Sequence, residues 1–510
     1  MDKQIEQFNE YFKGIVTDHI DRYGIPFATE NYKYFYDTGT GKVLQCTEST
    51  YRLICNLFEN QGIVNQELLN LNEEEFSRAV DELKDAIETE HIFKAQKFDR
   101  FICTQTTDLE NRVGKACQQL ILEVTEKCNL RCRYCIYGDE TKNFRTFNTR
   151  DMTFETAKKA MDYALSIADD EMALAFYGGE PLIQYQLMKE CTDYFKERYK
   201  GEKLSLVFTS NLTLLTKEMA DYFSENKFMV TCSLDGDQES HNENRVYCGG
   251  TGSFDDTIRG LKLLVEAYGE DAKEHIAVNT VIDSPFSTEK FERMNTFFHS
   301  LPWLPKDMII RVSYAAKDRW SEDTELSANT ELLNNKTVLN DVFVEWLFDK
   351  MRKQDSEVFS DNLLKESLVD IHKRAITDEP LEDCILNGCC VPGTRRLYVR
   401  VDGKFSVCER IGCSPDIGNV DEGISFEKIK KYYVDDYAEK SIHNCSDCWA
   451  VQLCGVCYSR CFDENGLDMK RKKILCENNR FVLYNALRRY HTLLEEHPEM
   501  LEEYNEIEFI

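Results

Sequence analysis

Apolar positions along the chain change period three times. In residues 1 to about 105 a strand-like pair, Tyr32–Tyr36 and Lys42–Gln45, brackets the turn Asp37-Thr38-Gly39-Thr40-Gly41. Helical spacing follows near Ser49–Asn60 and across Glu73–Thr89, where Phe76, Val80, Leu83 and Ile87 share a face. From Gln118 to about Ala315, short apolar runs alternate with helix-length amphipathic segments. The runs Leu120–Val124, Met172–Phe176, Leu204–Phe208, Met229–Leu234, Ile276–Val281 and Met308–Val312 predict six strands. Between them, Phe154–Ile167, Leu187–Tyr199 and Phe254–Ala267 predict helices, the first with Phe154, Ala157, Met161, Ala164 and Leu165 on one face. Strand–helix alternation of this kind predicts an α/β fold with a parallel sheet, an open or partial (βα)6 barrel. Chemistry in such sheets sits at the carboxyl ends of the strands.

The predicted organisation has five parts: a winged-helix-like unit over 1–105, the partial barrel over 106–330, a helical linker over 331–380, a cysteine-rich unit over 381–480 and a helical tail over 481–510. No run of 18 apolar residues occurs, so no membrane partner is expected, and MDKQIEQFNEYF lacks the basic and apolar regions of a secretory signal. The expected location is cytoplasmic. A net charge of −29 with no concentrated basic patch argues against a nucleic-acid partner.

Cysteine departs from ordinary composition. More than half of the 21 lie between Cys384 and Cys476. In a reducing compartment such density points to metal ligation rather than disulfides. Directly after the first barrel strand stands Cys128-Asn129-Leu130-Arg131-Cys132-Arg133-Tyr134-Cys135, spaced C-x3-C-x2-C. Three thiolates on one loop hold three irons of a cubane and leave the fourth open. A zinc knuckle is the rival, but no fourth ligand follows nearby and zinc prefers closed sites. At the same rim the second strand ends in Tyr177-Gly178-Gly179-Glu180-Pro181, the third in Thr209-Ser210-Asn211, and the fourth in Ser233-Leu234-Asp235-Gly236. Glycines there let backbone approach a ligand, and a carboxylate can accept from an ammonium group.

CNLRCRYC followed by YGGEP, TSN and SLDG resembles the radical S-adenosylmethionine (SAM) superfamily. The resemblance implies a [4Fe–4S] cluster on Cys128, Cys132 and Cys135, with SAM chelating its open iron. It implies Tyr134 beside the adenine, and Gly178, Gly179, Glu180 and Pro181 at the methionine amine. Ser210 and Asn211 fall in the same rim, Ser233 and Asp235 lie where ribose is contacted, and Arg245 is a partner for the SAM carboxylate. The later pattern, Cys384-x5-Cys390-x12-Gly403-x4-Cys408 and then Cys445-x2-Cys448-x5-Cys454-x2-Cys457-x3-Cys461 and Cys476, resembles the SPASM extension of radical SAM peptide maturases. This implies two auxiliary [4Fe–4S] clusters: one on Cys384, Cys390 and Cys408 with Cys457 or Cys461, the other on Cys445, Cys448, Cys454 and Cys476. The family's cysteine four residues after Cys454 is replaced by Tyr458, and Cys389 and Cys413 are spare. A zinc ribbon is the bland alternative. Glu409 follows Cys408 where related maturases place a proton acceptor, a catalytic role, with a solvated surface Glu as its rival.

The first hundred residues resemble the leader-recognition module of maturases of ribosomally synthesised peptides, in which a precursor's leader joins an open sheet edge. Their acidity argues against the rival DNA-binding winged helix. The segment around Cys448–Tyr458 is similar to maturases of cysteine-rich precursors, which implies thioether (sactipeptide- or ranthipeptide-type) crosslinking, with a flavodoxin- or ferredoxin-type electron donor. Carbon–carbon crosslinking, epimerisation and formylglycine formation are alternatives on the same scaffold. An iron–sulfur redox protein without substrate chemistry is the alternative from another class.

Overall fold

A computed structural model describes residues 1–507 other than 139–144, 316–341, 356 and 385–389. The amino-terminal region holds three antiparallel strands, β1 (Gly24–Ala28), β2 (Lys33–Asp37) and β3 (Val43–Cys46), in the order β1-β2-β3. Strand β1 lacks the alternation that marks a half-exposed strand, since four of its five residues are buried, and the sequence pattern did not predict it. Helices Glu48–Glu59 and Glu73–Thr89 pack on this sheet around Phe8, Phe12, Phe35, Leu53, Leu57 and Leu83. The second opens with a reciprocal capping box between Asn72 and Glu75.

The central sheet contains six parallel strands in sequential order: β4 (Cys117–Thr125), β5 (Ala168–Gly178), β6 (Lys203–Ser210), β7 (Met229–Ser233), β8 (Ile276–Ile282) and β9 (Ile309–Tyr314). All six predicted strands are present, each within a few residues of its expected bounds. Alternation sets the faces: Leu120, Leu122 and Val124 of β4 join the main core with Ala157, Ala160, Met161 and Ala164 of helix Phe154–Ser166. Ile121 faces the other way, with Ala175 and half-buried Tyr177 and Val207. Thr153 caps that helix through the Thr156 amide.

The sheet does not stop at β4. Strand β10 (Arg396–Val399) pairs parallel with β4 in the register Tyr398↔Ile121, and β11 (Lys404–Ser406), β12 (Gly418–Asn419) and β13 (Gly423–Ile424) continue it antiparallel. The cysteine-rich region is thereby continuous with the barrel sheet, a long-range pairing that no local pattern reports. The hairpin of β14 (Phe462–Asp463) and β15 (Gly466–Leu467) leads into a 28-residue helix, Met469–Glu496. This helix begins well before the expected Phe481 because the Asp468 carboxylate accepts from the Lys470 and Arg471 amides, and it carries Cys476. It also anchors the amino-terminal unit: Glu495 accepts from Thr29, Asn31 and Tyr34, and His491 packs on Phe27 and Tyr34. Of the expected linker, helices Val342–Arg352 and Asn362–His372 are seen, while 331–341 lie outside the described residues.

Candidate active site

The loop bearing Cys128, Cys132 and Cys135 leaves the carboxyl end of β4 and is gripped by the ends of β5 and β6. The Gly179 amide donates to the Thr125 carbonyl and the Glu180 amide to the Lys127 carbonyl, both at 2.8 Å. A Cβ at Gly179 would lie 2.1 Å from the Lys127 oxygen, and one at Gly178 (φ +151°) 2.3 Å from that of Thr125. No side chain fits that approach. Pro181 opens a short 3-10 turn. The buried Glu180 carboxylate accepts from Ser210 Oγ (2.7 Å), the Asn211 amide (2.9 Å) and the Leu182 amide (3.0 Å), while burial raises its pKa. Asn211 donates in turn to Asn129 Oδ1 at 3.1 Å, between Cys128 and Cys132. The GGE and TSN residues thus fasten the cysteine loop to two strand ends.

On its other flank the loop meets a buried polar knot. The Tyr134 hydroxyl donates to Asp235 Oδ2, which also accepts from Arg245 Nε at 2.9 Å, and the Val281 amide donates to Asp235 Oδ1 at 2.8 Å. Arg245, expected at a ligand carboxylate, is here paired with Asp235. The Asp235 amide donates to His241 Nδ1, and burial pushes this imidazole down to about 3. Ser233 is half-buried at the end of β7.

Three observations fit a cubane at this loop. The thiols of Cys128, Cys132 and Cys135 are close enough to oppose one another's ionisation. The Leu130 amide donates to Cys128 Sγ at 3.4 Å. Burial pushes the Cys132 thiol up to about 11, and the Arg245 guanidinium works against that shift, as a cation beside a thiolate does.

Glu409 borders the same sheet face from the β10 side. Arg396 and Tyr398, two apart on β10, share that inner face, where Tyr398 packs with Ile121 and Ala175. Arg396 donates from Nε to Gln119 Oε1 at 2.8 Å and from a terminal nitrogen to Glu409 at 3.4 Å. Gln119 lies near the start of β4 and Thr125 ends it, and Tyr177, whose ionisation both Glu409 and Cys135 oppose, lies between Glu409 and the cysteine loop. The wall between carries Tyr177 and Tyr398, ring centroids 6.3 Å apart, and the buried Glu123–Arg145 ion pair with Arg145 3.8 Å from the Tyr137 ring centroid.

The second constellation divides in a way its spacing did not predict. Cys445, Cys448, Cys454 and Cys476 lie together, each opposing the ionisation of others. Cys384 joins this group, packed with Ile442, Val451, Cys445 and Cys448, and not the group of Cys408 as expected. The reason is tertiary: Phe101 bridges to Cys384 and the Ile102 amide donates to its carbonyl at 2.9 Å, which also brings Cys103 near. Exposed Cys457 neighbours Cys408, and buried Cys461 neighbours Cys457 as well as Cys476 and Cys454. Cys390 is exposed, Cys413 is half-buried, and Cys389 is outside the described residues. Sequence reasoning missed Lys472, Asn479 and Arg480, whose side chains point at these sulfurs. Their signal is helical spacing: Lys472 and Arg480 stand four residues either side of Cys476.

Residues 122–295 match the model of the radical SAM superfamily. Residues 122–295 form a radical SAM domain. An uncharacterized protein of Methanocaldococcus jannaschii is 35% identical over 147 residues, 29% of this chain, and the chain spans about half (48%) of that relative. The cysteine-type anaerobic sulfatase-maturating enzyme of Clostridium novyi is 24% identical over 372 residues, covering 71% of this chain and 93% of the relative. Among solved structures, native anSMEcpe with bound AdoMet and Cp18Cys peptide superposes with a TM-score of 0.54 at 19% identity, over 77% of this chain and all of that one. The likeness of fold to that structure thus extends well beyond residue 295. Among the described residues no helix is long and apolar enough to cross a membrane.

Proposed function

We propose that this protein is a radical SAM peptide maturase that joins a cysteine sulfur to a carbon of a ribosomally made precursor. The observation carrying this reading is that the cysteine loop and Glu409, beside Cys408, both reach one inner sheet face, where Cys135 and Glu409 each oppose the ionisation of Tyr177. A cluster on Cys128, Cys132 and Cys135 with SAM bound would supply a 5′-deoxyadenosyl radical that abstracts a substrate hydrogen.

The chain's own residues then have defined tasks. Glu180, Asn211 and Asn129 hold the loop against the strand ends, and Asp235 holds Arg245 beside Cys132 to offset thiolate charge. Glu409, held by Arg396, would receive the proton of the attacking thiol on the Tyr177 side of the face. Tyr177, Tyr398 and Ile121 form an apolar wall that keeps water from the intervening carbon. Cys390, Cys408 and Cys457 or Cys461 would hold one auxiliary cluster and Cys445, Cys448, Cys454 and Cys476 the other, and these would supply a sink for the surplus electron. A flavodoxin- or ferredoxin-type protein supplies the priming electron.

Strand β3 is an edge of its sheet, and a groove of about 270 Å³ runs between it and helix Glu73–Thr89, lined by Leu44, Gln45, Cys46, Glu82, Leu83 and Ala86. An extended leader peptide fits there by adding a strand to β3.

The test is anaerobic turnover of the reconstituted full-length protein with SAM, reductant and the peptide encoded beside it. The expected product is two mass units lighter per link, with 5′-deoxyadenosine released. An unmodified peptide with only abortive SAM cleavage would overturn the reading.

A further inference from the structure

Lys472 is 3% exposed, and long cations are almost never so buried without a counter-charge. Among the described residues its Nζ meets sulfur and an aromatic face: Cys445 Sγ at 3.6 Å, Cys476 Sγ at 3.9 Å and the Tyr437 ring at 5.3 Å. The same helix face continues the pattern, with Asn479 Nδ2 3.8 Å from Cys454 Sγ and an Arg480 nitrogen 4.0 Å from Cys448 Sγ. Each of the four sulfurs assigned above to the second auxiliary cluster therefore faces an N–H donor, and one helix supplies all the donors and one of the sulfurs. Glu477, near Cys476, is an opposing charge.

Hydrogen bonds to the sulfurs and net charge nearby set iron–sulfur potentials, and buried cations act strongly because little water screens them. From this geometry we propose that Lys472 is a positioning residue that raises the reduction potential of the second auxiliary cluster. The ammonium stabilises the added negative charge of the reduced state. This inference rests on the reading that these cysteines bind a cluster.

The experiment is an anaerobic redox titration followed by electron paramagnetic resonance, on full-length protein in which Cys128, Cys132 and Cys135 are alanine so that only auxiliary signals remain. Iron analysis comes first: about eight irons per chain supports two auxiliary clusters, and iron absent from this protein overturns the reading together with the inference. With iron present, Lys472→Met is expected to lower one of two midpoints so that the reduced-to-oxidised ratio at the original midpoint falls at least tenfold, about 59 mV for one electron. The other midpoint, and both midpoints in the exposed-site control Lys470→Met, stay in place. An unmoved pair of midpoints at full iron content overturns the proposal. Should Lys472→Met load less iron, Lys472→Gln and Lys472→Arg decide, since both keep an N–H toward the sulfurs and only Arg keeps the charge. The Gln midpoint is expected below the Arg midpoint, and equal values refute the role of the charge.

Discussion

Replacing Asp235 by Asn tests the electrostatic design of the cysteine loop. Asp235 is 2% exposed and Arg245 6%. The carboxylate accepts from the Tyr134 hydroxyl, Arg245 Nε and the Val281 amide. Asn is nearly isosteric, so packing is kept, but a formal charge disappears and the guanidinium is left buried beside Cys132. Breaking one side of a buried ion pair costs about 3–5 kcal/mol, mostly from the uncompensated charge that remains. On the roughly 2–4 °C per kcal/mol of a 150–250-residue domain, the unfolding midpoint of the cluster-free protein should fall by about 6–20 °C. Anaerobic differential scanning fluorimetry measures this. Because the guanidinium is the cause, Asp235→Asn combined with Arg245→Met should regain much of the loss, whereas independent sites would add. A single variant within 2 °C of wild type, or a double variant as unstable as the sum of its parts, refutes the argument that Asp235 compensates Arg245.

Two further outcomes follow from geometry. His241 and His491 are buried and neutral, pushed down to about 3 and about 4, whereas in the unfolded chain they protonate near 6.5. The unfolded state therefore binds more protons below pH 6.5, and the stability present above that value is lost as pH falls toward 4. At pH 5 each histidine accounts for about 2 kcal/mol. Denaturant titrations at pH 7.5 and 5 should show this, and His241→Gln with His491→Gln should flatten the difference; an unchanged pH slope in the pair refutes it. Separately, Ala86→Arg fills the groove beside β3 and should weaken leader-peptide affinity at least tenfold, about 1.4 kcal/mol, by fluorescence anisotropy. Undiminished affinity would move the leader site away from β3.

Local chemistry determined a good deal of this protein. Strand and helix periods located the six parallel strands, because each half of an α/β unit buries its own apolar face. The C-x3-C-x2-C spacing located the radical SAM loop, because three ligands on one short segment need no other part of the chain to be recognised. Glycines 178 and 179 were legible for the same reason. What tertiary structure alone decided are partnerships between distant segments. Strand β10 joins β4 through a register set by residues nearly 280 positions apart. Cys384 is drawn to Cys445 and Cys448 by its bridge to Phe101, although its spacing to Cys390 suggested otherwise. Asp235 claims Arg245, and Lys472 is buried among thiols, because desolvated charges take whichever opposite group the packed chain brings within a few ångströms. Sequence spacing does not record that choice.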